Sequence, residues 1–234
     1  MRIEWVNLPE KYAAGMRDFL RFHGIEEGTG GLRVRLAPNH KEGIEIHRED
    51  DEVELRLDDA GRVYRALTLL EMHADEERFE YAEGRYFDTC GAMFDGSQAS
   101  SLLNVASCKK LMLALAGMGY NQMMLYCEDC YELPGEPYWG NMRPRFSQAD
   151  FRALDDYADS LGLELVPCIQ TLGHLTEAIK RPPYARLADT KSVLMVDEEA
   201  TYAFLEKLIA SVSGCFRSRR IHLGLDEAWD LGLG

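Results

Sequence analysis

Positive charge is scarce in this 234-residue chain, where 26 Lys and Arg stand against 40 Asp and Glu for a formal net charge of -14. That excess repels phosphate backbones and anionic lipid head groups, so neither nucleic acid nor a membrane surface is an expected partner. Long apolar runs are missing as well. The start, Met1-Arg-Ile-Glu-Trp-Val-Asn-Leu-Pro-Glu, lacks the apolar stretch of a signal peptide, and no window approaches the roughly 20 apolar residues of a membrane span. A cytoplasmic protein is expected. The six cysteines, Cys90, Cys108, Cys127, Cys130, Cys168 and Cys215, lie mostly inside apolar runs and read as reduced thiols. Only Cys127-Glu-Asp-Cys130 has metal or redox spacing, and no second Cys or His pair accompanies it. No metal site and no cofactor are therefore expected. No Gly-x-Gly-x-x-Gly follows the first strand after Gly84, so a dinucleotide site has no support either.

What is present is a globular composition, 46% hydrophobic and 28% charged, enough to bury a substantial core. The first 84 residues mix element types. Pro9 to His23 reads as a helix, and Leu32–Leu36, Gly43–His47 and Glu52–Asp58 alternate as half-buried strands do. Asp59 then caps a helix with Val63, Leu67 and Leu70 on one face. This predicts a small α+β domain over residues 1–84.

After Gly84 short apolar strands alternate with amphipathic helices, the pattern of parallel strands joined by helical crossovers. Strands are predicted from Cys90, over Asn121–Tyr126, over Leu163–Gln170 and over Arg220–Leu225. Helices are predicted at Asn104–Met118, after a Ser147 cap and after an Asp197 cap, the first two stopped by Gly119 and Gly162. Four such units fit either a four-stranded doubly wound sheet or half of an eight-fold barrel. The polar residues favour the barrel, because Asp95, Glu128 and Asp129, Gln170 and His174, and Asp226 and Glu227 all follow the carboxyl end of a strand.

The acid pair Asp226-Glu227 is the sharpest of these signals. Neighbouring side chains on a regular strand point to opposite faces, so both carboxylates can serve one substrate only where the strand is turning into a loop. A solvated acidic turn is the bland alternative. A metal-dependent hydrolase built on His174, His222, Asp226 and Glu227 is a further one, disfavoured because zinc sites use tightly spaced His pairs.

Four motifs now stand in order: Gly91-Ala-Met-Phe-Asp-Gly-Ser-Gln98, Gly119-Tyr-Asn-Gln-Met-Met-Leu-Tyr-Cys-Glu-Asp-Cys-Tyr-Glu-Leu133, Leu163-Glu-Leu-Val-Pro-Cys-Ile-Gln-Thr-Leu-Gly-His174 and Ile221-His-Leu-Gly-Leu-Asp-Glu227. Through them the chain resembles glycoside hydrolase family 20, the β-N-acetylhexosaminidases, and in particular the intracellular bacterial and hexosaminidase D-like branch. The resemblance implies a small α+β domain followed by the first four β/α units of a TIM-type (β/α)8 barrel over residues 85–234. It also implies hydrolysis of terminal β-linked N-acetylglucosamine or N-acetylgalactosamine by a retaining, substrate-assisted mechanism. Glu227 matches the general acid/base, to be kept protonated by burial and by its neighbour, and Asp226 matches the carboxylate that orients the acetamido group. His174 matches a histidine supporting the acids, and Asp95 a sugar-binding aspartate. Gln98 stands where the family usually has arginine and lacks its charged fork. Glu128 and Asp129 match an acidic pair bordering the pocket, with a solvated loop as the alternative. Trp229 and Trp139 could each offer a stacking face or be buried.

Residues 85–234 fall well short of the roughly 250 of a whole barrel, so the catalytic domain reads as truncated. The chain alone is then expected to have little activity and to self-associate through Met93, Met123, Val166 and Leu223 on an open half barrel. A catalytically silent sugar-binding or assembly fragment is the alternative function.

Overall fold

The computed structural model describes residues 1–97 and 103–234. These divide into two compact units, one made of Met1–Ala92, Cys108–Gln122 and Asp156–Glu164, the other of Met93–Ser107, Met123–Asp155 and Leu165–Gly234.

The first unit is built on β1 (Arg2–Trp5), α1 (Glu10–His23), β2 (Glu26–Glu27), β3 (Leu32–Pro38), β4 (Ile44–Glu49), β5 (Glu52–Leu57), α2 (Val63–Met72) and β6 (Arg78–Glu83). The strands form one mixed sheet in the order β2-β1-β3-β5-β4-β6. β3 runs parallel to β1 and β5, while β4 is antiparallel to both β5 and β6. Leu32, Val34, Ile44, Ile46, Val53, Leu55 and Leu57 alternate onto one buried face, as the period of a half-buried strand requires. α2 packs on that face over β4 and β5. α1 meets α2 through an edge-on contact of Phe19 with Tyr64, ring centroids 5.1 Å apart. Each such apolar side chain contributes about 1.5–3 kcal/mol by leaving water. The predicted Asp59 cap is present, its carboxylate accepting from Gly61 N at 2.7 Å, though a short 3-10 turn (Ala60–Arg62) precedes α2.

Beyond Glu83 come β7 (Gly91–Asp95), α3 (Val105–Met118), β8 (Gln122–Cys127), α4 (Gln148–Ser160), β9 (Glu164–Ile169), a short α5 (Thr176–Ile179) and α6 (Glu199–Ser213). β7, β8 and β9 form a three-stranded sheet in that order. Asn121 N donates to Cys90 O and Gly96 N to Tyr126 O, so β7 and β8 run the same way. The caps read from sequence hold at α4. There Ser147 Oγ accepts from Asp150 N at 3.0 Å while the Asp150 carboxylate accepts from Ser147 N at 2.9 Å, a reciprocal capping box. Gly119 and Gly162, which follow α3 and α4, both lie in left-handed backbone.

Two local predictions change. The fourth strand, Arg220–Leu225, reduces to a parallel bridge between His222 and Cys168. The ladder stops at Gly224, which at φ 57° turns its N–H to His222 Nδ1 instead of Ile169 O, while the Leu223 carbonyl accepts from Thr171 Oγ1 at 2.8 Å. Asp197 does not cap α6: it sits at φ 60°, and Glu198 occupies the N-cap position with no side-chain bond. Of the four side chains expected on an open face, Met93 is half exposed and Leu223 half buried, but Met123 and Val166 are buried. Among the described residues no helix is long and apolar enough to cross a membrane.

Candidate active site

Within the second unit the carboxyl end of β9 and the bridged segment after it bring the acid pair to a histidine. Asp226 Oδ1 accepts from Gln170 Nε2 at 3.0 Å, and the same amide nitrogen donates to the Tyr126 hydroxyl at 3.0 Å. The other oxygen, Asp226 Oδ2, lies 3.4 Å from His174 Nε2, and Glu227 Oε2 lies 3.3 Å from that same nitrogen. Two sequence-adjacent carboxylates thus meet one imidazole. Left-handed backbone at Glu227 (φ 52°) makes this possible, because it breaks the alternation that would send the two side chains to opposite faces. His174 is itself left-handed, at φ 57°. A non-glycine residue in that region is uncommon, and two of the five among the described residues fall here.

Gly224 carries the segment into place. A Cβ there would meet Ile169 O at 2.6 Å and the Gln170 amide carbon at 2.7 Å. The Gln170 amide is the first cause holding the Asp226 carboxyl below its usual range, with the backbone and the His174 and His222 charges adding to it against burial. Burial pushes the Tyr126 hydroxyl up, so it stays protonated. The side chains of Asp226 and Glu227 are each 57% exposed. The burial expected around Glu227 is therefore not provided by this chain.

A second network lies at the ends of β7 and β8. Asp95, exposed, accepts from Ser97 N at 2.7 Å. Ser97 is 2% exposed, and its Oγ accepts from Glu128 N at 2.6 Å. The Arg143 guanidinium binds Asp129, stands 3.5 Å from Glu128 and donates to the Ser97 carbonyl. Glu128 and Asp129 are thus buried and tied down by an arginine, so the solvated-loop alternative does not hold. Burial raises the Asp129 carboxyl, and the Arg143 charge works against that rise. Tyr126 belongs to both networks, since its carbonyl accepts from Gly96 N at 3.0 Å.

Gln98 lies outside the described residues. Trp229 is 84% exposed and presents its indole to solvent. Trp139 is fully buried against Tyr131, Tyr184 and Phe204, which removes it as a stacking face. Sequence reading missed Arg143, Ser97 and Tyr126 as parts of these networks. Only the Ser97 signal was available in principle, inside the Asp95-Gly-Ser motif; nothing local marks an arginine whose partners lie across a loop. Among the described residues one group of His, Cys, Asp or Glu has metal-binding spacing, His174 with Asp226 and Glu227, whose ligand atoms lie within 4.8 Å of one another. It includes neither His222 nor the buried Cys127 and Cys130 thiols.

Comparison with known proteins adds three findings. Residues 136–232 match the family model "Glycosyl hydrolase family 20, catalytic domain". Hexosaminidase D of Homo sapiens is 26% identical over 121 residues, which cover 50% of this chain and 25% of that protein. Among solved structures, the Streptomyces plicatus N-acetyl-beta-hexosaminidase in complex with Thio-NAglucal aligns at TM-score 0.79 and 20% identity over 97% of this chain and 55% of that one. The GH20 exo beta-N-acetylglucosaminidase from Vibrio harveyi, in complex with N-acetylglucosamine, aligns at TM-score 0.78 and 17% identity over 99% and 44%. The chain spans about half the length of these solved relatives. Its α/β fold is that of the family 20 hexosaminidases, and by family model, curated relative and fold alike the chain resembles glycoside hydrolase family 20.

Proposed function

We propose that the chain is the N-terminal portion of a β-N-acetylhexosaminidase that removes terminal β-linked N-acetylglucosamine or N-acetylgalactosamine with retention of configuration. In this reading residues 1–84 form a small α+β domain, and 85–234 supply the first units of a (β/α)8 catalytic barrel. The observation that carries the proposal is the turn at Glu227, which aims two adjacent carboxylates at one imidazole and so at one substrate.

The chemistry follows from the two environments. Asp226, ionised and fixed by Gln170, accepts the acetamido N–H, aligns its carbonyl oxygen with the anomeric carbon and stabilises the positive charge of the oxazolinium-like intermediate. The substrate supplies the nucleophile, so no second enzyme carboxylate has to reach the anomeric carbon. Glu227 gives its proton to the departing glycosidic oxygen and then takes one from the attacking water. His174 holds the two acids in register. Asp95 is placed to bind sugar hydroxyls, with Gln98 three positions later in sequence. Glu128 and Asp129, anchored by Arg143, support that rim, and Trp229 offers its face to the sugar.

The test compares an aryl β-N-acetylglucosaminide with the matching β-glucoside on the natural gene product. Turnover of the first and near-silence on the second is expected; equal rates would overturn the assignment. A second reading, a sugar-binding or assembly fragment without turnover, is favoured by the exposure of both acids in this chain. Glycan binding with no hydrolysis by the natural product would select it. We also propose that the 234-residue chain self-associates, since Met93, Leu225, Trp229 and Leu233 of the second unit are 50%, 61%, 84% and 77% exposed. Composition supports a cytoplasmic location.

A further inference from the structure

The spacing around His174 has a second reading besides an ion pair. Zinc binds histidine nitrogen and carboxylate oxygen at about 2.0–2.1 Å, so the edges of its tetrahedron are about 3.3–3.4 Å long. His174 Nε2 stands 3.4 Å from Asp226 Oδ2 and 3.3 Å from Glu227 Oε2, which are two such edges. The third pair of ligand atoms lies within 4.8 Å. We propose that His174, Asp226 and Glu227 form a zinc site that captures the ion from solution and silences the acid pair.

The surroundings suit this role. Gln170 occupies Asp226 Oδ1, which leaves Oδ2 as the ligand oxygen and fixes the carboxylate from behind, as an outer-shell partner does. Left-handed backbone at His174 and Glu227 holds both ligands toward one point. Each acid is 57% exposed, so the ion has an entry path and water can fill the fourth position. The donor set, one imidazole nitrogen with two carboxylate oxygens, suits zinc better than magnesium or calcium, which prefer cages of oxygen alone. A zinc ion bound to Glu227 Oε2 removes the oxygen that would carry the catalytic proton. The silencing therefore rests on the role proposed for Glu227; the binding does not.

The test titrates the 234-residue chain with zinc chloride under reducing conditions, following heat or competition with a chromophoric chelator. One site with micromolar affinity is expected, with no comparable response to magnesium chloride. Glu227→Gln and Asp226→Asn keep the shape of exposed side chains, and each should weaken binding about ten-fold or more, as should His174→Ala. Cys90→Ser, which removes the exposed thiol, should leave the titration unchanged. Absence of binding, affinity equal to wild type in the three site variants, or loss only in Cys90→Ser would overturn the proposal. In the natural gene product, zinc should abolish hydrolysis and a chelator restore it. Binding without any hydrolase activity would instead remove the proposed function while leaving the zinc site standing.

Discussion

Replacing Arg143 by methionine should destabilise the protein in a pH-dependent way. The guanidinium is 17% exposed and pairs with the side chains of Asp129 and Glu128, themselves 2% and 11% exposed. Methionine fills much of the volume but strips the counter-charge from two buried carboxylates and a donor from the Ser97 carbonyl. Breaking a buried pair from one side costs about 3–5 kcal/mol, because the remaining charge stays desolvated. In a chain of this length each kcal/mol moves the melting temperature by about 2–4 °C, so a drop of about 6–20 °C is expected at neutral pH. The sign with pH follows from Asp129. Burial raises its carboxyl in the folded state, so its contribution to stability is present below the unfolded value of about 3.9 and is lost as pH rises through the folded value. Without Arg143 that folded value climbs further. The gap between variant and wild type should therefore be widest at neutral pH and narrow toward about pH 4. Arg143→Lys keeps a charge but loses the fork that reaches Asp129 and Ser97 together, and should fall between the two. Thermal melts followed by circular dichroism at three pH values measure all of this. A neutral-pH drop under about 2 °C, or a gap that widens in acid, would refute the reasoning.

In the natural gene product Glu227→Gln should lose most turnover yet keep affinity for N-acetylglucosamine, read from separate kcat and binding measurements. Asp226→Asn should be severe as well; a two- or three-fold loss, under about 1 kcal/mol of barrier, would reduce Asp226 to a structural role. Gln170→Leu should let the Asp226 carboxyl rise toward its ordinary value, tracked by carbon NMR of the side chain, and the stability that bond gives above the carboxylate range should fade as pH falls through the depressed value. Gly224→Ala places a methyl 2.6 Å from Ile169 O in left-handed backbone, and should cost about 1–3 kcal/mol in denaturant unfolding; a neutral outcome would mean the loop is not fixed. Sedimentation across micromolar concentrations should show dimers or larger species, and a strict monomer would remove the self-association proposal.

The sequence period carried β3, β4 and β5 of the first sheet, because Leu32, Val34, Ile44, Ile46 and Val53 have no choice but to share a face once the strands form, whereas β1, β2 and β6 were not read from it. Helix ends at Ser147, Gly119 and Gly162 were equally legible, since cap chemistry is local. The apolar run Ile221-His-Leu-Gly-Leu was misread as a full strand. Its ladder ends where Gly224 turns left-handed and the Leu223 carbonyl is held by Thr171, fifty-two positions earlier, a partner that no local pattern announces. The same limit hid Arg143, while the left-handed turn that joins Asp226 to Glu227 was only inferred as a need for the strand to end. Trp139 shows the converse: its identity invited a surface role, but packing against Tyr184 and Phe204 settled it inward.

The discontinuous make-up of the first unit sets a timetable for synthesis. Residues Met1–Ala92 share their compact unit with Cys108–Gln122 and Asp156–Glu164. The Tyr64 hydroxyl donates to the Ser160 carbonyl, 96 positions later, and Tyr157 returns to Asp18 across 139. A ribosome delivers the amino end first, at about 5–20 residues per second, so Tyr64 waits about 5–20 s after it emerges for that partner. The nascent sheet can form early, but its closure belongs to the moment when α4 leaves the exit tunnel. A pause while residues 156–164 are still inside the tunnel would prolong an unfinished intermediate, whereas one after they have emerged would not.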